Sequence, residues 1–222
     1  MSLIVNRQPP VYLLHGLAAN RLVMWRLCQH LRRRGWVVRN WGYPSIRQGV
    51  EVHAAGLVRV ILADEQVERA GCVDIVGHSM GTIVARRAIL QLPPGLVRRF
   101  VLLTPPNNGS PVATFLSYFL GWFCPALHDL SDRQDSYVNR LAYPTNIEVG
   151  VVTARMDWVV PLSSTRWPRD SGPMTVQYTS IGGPHGVLPW RRATLETTER
   201  FLARGTFPSA SDMPSAPPTR AN

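Results

Sequence analysis

Apolar residues in this chain fall into short continuous runs, separated by longer stretches in which they recur every three or four positions. Short runs bounded by turn residues read as strands, and the wider period reads as helices with one apolar face. The runs predict strands at 11–14, 36–41, 73–76, 100–103, 147–153 and 175–180, and helices at about 24–34, 50–68, 82–92 and 191–202. In the first helix Trp25, Leu27, Cys28 and Leu31 recur at the spacing of a face laid against a sheet. Strands that alternate with helices and are apolar along their length belong to a parallel sheet covered on both sides. The expected class is therefore α/β, with a mostly parallel sheet of about six strands.

Two stretches break the alternation. Residues 107–143 are too long for a plain connection, and inserts of this length are usually functional. Within them residues 112–123 are apolar almost all round yet too short to cross a bilayer. Such a helix needs cover, so it is expected to act as a cap that walls a pocket and offers one face to lipid, the alternative being an ordinary core helix. Phe115, Phe119 and Phe123, spaced by four, are the rings expected to line the pocket. From Gly205 onward the chain is rich in Pro, Ser and Ala with no apolar period, so residues 205–222 are expected to be a disordered tail outside the core. One domain, 1–204, remains, as 222 residues with 45% hydrophobic content would suggest.

The candidate chemistry starts at Gly77-His78-Ser79-Met80-Gly81, directly after one predicted strand and directly before a predicted helix. Glycines on both sides let strand and helix approach closely, and the serine at the tip of the turn is pushed out towards substrate. By itself a Gly-x-Ser-x-Gly sequence is weak, since small residues flank serine in many turns. Its placement between strand and helix is what gives it meaning. An acyl-transfer site also needs two N–H donors for an oxyanion. Met80, at the start of the helix, would supply one, and Leu17, after Val11-Tyr12-Leu13-Leu14-His15-Gly16, the other, with His15 and Gly16 shaping the loop at the substrate.

A serine hydroxyl needs a base, and the base needs an orienting carboxylate. Of the six histidines, His30 and His53 lie on predicted helices, and His78 would point away from the serine beside it; all three read as structural or solvent-exposed. His185 differs, because Gly182-Gly183-Pro184-His185-Gly186 forms a loop after a strand, where a side chain can swing over the sheet edge. Asp157 stands just past the end of the preceding strand, while Asp129, Asp132 and Asp135 are rivals in a polar segment with no strand behind them.

The order Ser79, Asp157, His185 resembles that of the α/β-hydrolase superfamily and differs from the chymotrypsin and subtilisin orders. Four patches carry the resemblance: His15-Gly16, Gly77 to Gly81, Met156-Asp157-Trp158-Val159-Val160-Pro161, and His185-Gly186. Together they span 11 to about 202. The tract from Leu103 to Ala113 more loosely resembles the loop that leads into the cap of bacterial lipases and lipase-like esterases. Only ten residues precede Val11, so the first antiparallel strands of the full fold are expected to be missing or reduced to a stub at Leu3-Ile4-Val5, as in minimal members. No aspartate cluster suggests the calcium site of larger bacterial lipases, and neither metal nor cofactor is expected. The resemblance implies an α/β-hydrolase fold and a serine hydrolase that cleaves carboxylic esters with apolar acyl chains through an acyl-enzyme, the substrate being a small-molecule ester with lipids among the candidates. An acyltransferase, thioesterase or amidase would use the same three residues, and a non-catalytic binding homologue would keep the fold alone.

Charge adds little to this picture. All 24 basic residues are arginine and the formal charge is +10, but the arginines are spread rather than interleaved with aromatics in a module, so no nucleic-acid partner is expected. A basic surface could still attract anionic lipid, which leaves transient contact with a membrane surface open. Cys28, Cys72 and Cys124 show no metal spacing and an odd count, and the start of the chain has no charged leader before a long apolar run. Reduced thiols in a cytoplasmic protein are the expectation.

Overall fold

The computed structural model describes residues 8–167 and 176–207. The expected stub at Leu3-Ile4-Val5 and the tail beyond Phe207 lie outside the described residues. Strand β1 (Val11–Leu14) leads through a 3-10 turn into α1 (Trp25–Arg33), β2 (Val38–Trp41), α2 (Val50–Leu62) and α3 (Glu65–Ala70). Next come β3 (Val73–His78), α4 (Met80–Ile89) and β4 (Val97–Leu103), then an insert with α5 (Pro111–Leu120), α6 (Ala126–Asp129) and α7 (Tyr137–Arg140). Finally β5 (Glu148–Ala154), β6 (Val176–Ile181) and α8 (Arg192–Arg204) complete the described chain. The six strands form one sheet in the order β2-β1-β3-β4-β5-β6, and every pairing is parallel.

Side chains alternate across each strand, so one strand feeds two cores. Tyr12 and Leu14 of β1, Ile75 of β3 and Phe100 and Leu102 of β4 pack beneath α2 and α4, where Val50, Ala54, Leu57 and Ile61 meet Ile83, Val84 and Ala88. Val11, Leu13, Val76, Val101 and Leu103 face the other way, onto Leu27, Cys28 and Leu31 of α1 and Leu195, Phe201 and Leu202 of α8. The central strands β1 and β3 are buried on both faces, as their unbroken apolar runs require.

Three expectations change. The helix foreseen at 50–68 is two helices, because Asp64 accepts the Gln66 N–H at 2.9 Å and starts α3 afresh. The strand foreseen at 36–41 begins at Val38. The third concerns the tail. Phe207 is only 8% exposed and meets the Phe201 ring at 4.8 Å, its N–H donating to Gln177 Oε1 at 2.9 Å. Gly150 on β5 leaves the room, since a Cβ there would lie 2.7 Å from Phe207 Cζ. The core thus extends to Phe207, past the expected boundary at Gly205.

The insert is tied to the sheet layer by a buried cation. Arg86 of α4 is fully buried and donates to the carbonyls of Val138 (2.8 Å), Leu141 (2.5 Å), Ala142 (3.2 Å) and Asn107 (3.4 Å), with the Tyr143 ring 3.9 Å from its guanidinium carbon. Four carbonyls and a ring face replace the water such a group would otherwise keep, which is what makes its burial tolerable. Among the described residues no helix is long and apolar enough to cross a membrane.

Candidate active site

Ser79 stands between β3 and α4 with φ 52° and ψ −125°, a conformation that non-glycine residues rarely adopt. Strand and helix meet so closely there that a Cβ on Gly77 would lie 2.7 Å from Thr82 N, and the end of β1 also crowds the helix start, where a Cβ on Gly81 would lie 2.5 Å from the His15 carbonyl oxygen. The turn is held from outside as well: Ser79 N–H donates to Leu103 O at 2.9 Å, and Ser79 O accepts from Thr82 N at 2.9 Å and Thr82 Oγ1 at 2.6 Å. A serine at a helix start ordinarily turns its hydroxyl back to cap the first amides. Ser79 makes no such bond. Its strained backbone leaves the hydroxyl to the cavity instead.

Asp157 follows β5, where the chain turns on the carboxylate: Oδ1 accepts from Val159 N at 3.0 Å and Val160 N at 2.9 Å. The other oxygen, Oδ2, lies 2.7 Å from His185 Nδ1, and both side chains are largely buried. A carboxylate can only accept, so Nδ1 carries the proton and Nε2 keeps its lone pair. His185 itself opens a 3-10 turn after β6. Ser79 and His185 line one cavity of about 180 Å³, together with Leu17, Ala18, Pro106, Leu127, Leu130, Val159 and Val160. Among the described residues no hydrogen bond joins the serine hydroxyl to the imidazole, a contact that often tightens only with substrate bound. Met80 begins α4, where the helix leaves amides unbonded and a partial positive charge. The Leu17 amide donates to no backbone carbonyl among the described residues.

The rival carboxylates are elsewhere. Asp129 caps α2 through Val50 N at 2.8 Å, Asp132 accepts from Thr114, and Asp135 pairs with Arg133. His30 is bonded to Glu199 on the outer surface, while His53 is buried beside Tyr43.

Several expected positions are corrected. His15 does not line the cavity. Its Nδ1 donates to Gly16 O at 2.9 Å, its Nε2 accepts from Tyr43 N at 3.3 Å, and its ring stacks on Tyr43 at 4.3 Å. Burial lowers its pKa and keeps it neutral. Gly16 lies beside Ser79, where a Cβ would come within 3.0 Å of the Ser79 Cβ. Phe115, Phe119 and Phe123 are 63%, 63% and 56% exposed and point away from the cavity. The same helix presents Val112, Ala113 and Leu116 inward instead, and Ser110 caps it while donating to Val159 O at 2.6 Å. Because residues 112–123 are apolar on all sides, their pattern held no hint of which face turns in. Of the two readings left open for His78, structural or solvent-exposed, burial excludes the second: it is buried, with its ring 5.0 Å from that of His185.

The profile of the Alpha/beta hydrolase family matches residues 11–219, nearly the whole chain. The chain belongs to the alpha/beta hydrolase family. Solved structures repeat the fold at low identity. The product of gene lin2722 of Listeria innocua is 17% identical with a TM-score of 0.65, covering 91% of this chain and 96% of its own. The monoacylglycerol lipase of Paleococcus ferrophilus is 18% identical with a TM-score of 0.60, covering 89% and 95%. The type II thioesterase BorB from the borrelidin biosynthetic cluster is 16% identical with a TM-score of 0.62, covering 88% and 91%. No curated protein matches this alpha/beta hydrolase in sequence.

Proposed function

We propose that this alpha/beta hydrolase is a serine ester hydrolase acting on carboxylic esters with an apolar acyl chain. The observation that carries the reading is the convergence on one cavity of a serine whose hydroxyl caps nothing and a histidine whose Nδ1 is held by Asp157. In this reading Ser79 Oγ attacks the ester carbonyl while His185 Nε2 takes its proton. Asp157 holds the ring in that tautomer and stabilises the imidazolium. The amides of Leu17 and Met80 receive the oxyanion, with the N-terminus of α4 adding positive potential. Collapse returns the proton from His185 to the leaving alcohol, and water then deacylates Ser79 by the same route in reverse.

The acyl preference rests on the lining. Leu17, Pro106, Val112, Leu116, Leu127 and Val160 surround the serine with carbon and offer a charged substrate little beyond His185. A monoacylglycerol lipase and a thioesterase among the structural neighbours are consistent with acyl chemistry on this scaffold. A fluorophosphonate probe should label wild-type protein on Ser79 and leave Ser79→Ala unlabelled, and that variant should lose roughly a millionfold in turnover of a p-nitrophenyl ester. Folded wild-type protein that neither reacts with the probe nor cleaves the ester would leave only a binding role for the cavity.

A further inference from the structure

His78 immediately precedes Ser79, and its side chain is buried against the loop that carries His185. Its Nε2 lies 3.2 Å from the carbonyl oxygen of His185, a residue 107 positions away in the chain. A carbonyl only accepts, so Nε2 carries the proton and Nδ1 is a bare lone pair. That Nδ1 is buried, has no hydrogen-bond partner among the described residues, and would lie 3.4 Å from a Cβ placed on Gly16. An unpaired buried acceptor is destabilising, and a leucine or phenylalanine at this place would avoid it. The histidine is therefore poorly explained by packing, and its single useful polar contact is the one to the base's own backbone.

The His185 loop needs such a contact. Gly182, Gly183 and Gly186 surround the histidine, and Gly183 has φ 129°, so the local backbone holds itself weakly. Asp157 fixes one ring nitrogen and Met156 N–H donates to Gly183 O at 3.4 Å, but neither bond reaches the peptide of His185 itself. An attachment at the His185 carbonyl restrains that peptide directly. His78 provides it from the residue covalently joined to the nucleophile.

Building on the proposed hydrolase reading, we infer that His78 is a positioning residue, which sets the placement of His185 relative to Ser79 by donating Nε2–H to the His185 carbonyl. Its neutrality suits the role. Burial first, and the neighbouring His185 second, push its pKa down to about 3, so His78 stays uncharged beside a base that becomes cationic in turnover.

The test compares three variants by kcat, KM, fluorophosphonate labelling rate and thermal midpoint. His78→Leu keeps the bulk and removes the donor; it should lower kcat and the labelling rate by roughly 10- to 100-fold, as a displacement approaching 1 Å does, with KM within about twofold. His78→Gln reaches to the Nε2 position with an N–H and should recover to within about fivefold of wild type. His78→Asn, whose amide stops at the Nδ1 position, should resemble His78→Leu. Wild-type rates in His78→Leu, or a His78→Gln no better than His78→Leu, overturn the inference. A long-range proton–nitrogen spectrum of the wild-type protein decides it even if the variants do not fold, because an Nδ1–H tautomer at His78 is incompatible with the bond. That spectrum does not depend on activity. The Nε2–H tautomer in a protein that no probe labels would count against the hydrolase reading and leave the contact standing.

Discussion

If the proposed hydrolase seats the acyl chain in this cavity, the cavity size sets a chain-length preference. It holds about 180 Å³ and is walled by Leu17, Val112, Leu116, Leu127 and Leu130. If each methylene takes about the space of one water, ~30 Å³, the cavity holds roughly six carbon groups. Each methylene moved from water is worth roughly 0.8 kcal/mol, or about fourfold in a rate that reports transition-state binding. From acetyl to hexanoyl, four methylenes compound to about two hundredfold in kcat/KM, after which the curve should flatten. Leu116→Ala removes three carbons from the wall, so its plateau should move out to octanoyl or beyond. Phe119→Ala acts on an outward ring, 63% exposed, and should leave the slope unchanged within about twofold. The assay is kcat/KM on p-nitrophenyl acetate, butyrate, hexanoate and octanoate for the three proteins. A steady decline from acetate onward in wild type, or a flattened slope in Phe119→Ala with none of the shift in Leu116→Ala, would refute the assignment of this cavity to the acyl chain.

Three further outcomes are expected. Asp157→Asn should lose roughly ten-thousandfold in turnover, because an amide N–H facing Nδ1 favours the wrong tautomer; activity within about threefold of wild type would mean another group holds His185. Truncation after Arg204 removes the buried Phe207 ring and should cost about 3–5 kcal/mol, or roughly 6–20 °C in a calorimetric midpoint, while truncation after Phe207 should retain the midpoint; equal midpoints would show the ring contributes nothing. Asp64 is held near pKa 2, below its ordinary 3.8, chiefly by the Arg39 guanidinium and also by Gln66 N–H and Tyr12 Oη. A depressed carboxylate stabilises the fold above its unfolded pKa and loses that contribution as pH falls through the folded value. Asp64→Asn keeps the helix cap, so in urea titrations it should cost on the order of 1–2 kcal/mol at pH 7, the gap closing from about pH 4 towards pH 2; a gap independent of pH would rule out the charge.

The alternation of strands and helices was legible because each element is encoded within itself, by a short unbroken apolar run or by a period of 3.6 over a handful of residues. The turn at Ser79 was legible for a similar reason. Gly77 answers to a crossing of strand and helix that residues 77 to 82 create alone, whereas the need for Gly81 comes from the His15 carbonyl across the sheet. Asp157 and His185 could be singled out because each stands just past a strand end, and in a parallel sheet such ends collect on one edge. The break at Asp64 was also written locally, as an N-cap followed by Glu65, and was overlooked within a longer apolar period.

Other features had no local signal. Arg86 and Arg87 are neighbours of one kind in the sequence, yet Arg86 is fully buried among carbonyls from 107, 138, 141 and 142, whereas Arg87 pairs with Glu51. Phe207 sits in a stretch with no period and is held by a gap that Gly150 leaves 57 positions earlier. The aromatic face of α5 turns outward although its composition would suit either direction, because Ser110 anchors the helix to Val159 and the cavity accepts the smaller Val112, Ala113 and Leu116. His78 found its partner only when the His185 loop closed over the elbow. Sequence by itself determined the elements and the residue types at their ends, since periodicity and turn chemistry act over a few residues. Which face turns in, and which buried polar group meets which carbonyl, was decided by tertiary structure, because burial and hydrogen-bond partners exist only once distant segments share the same space.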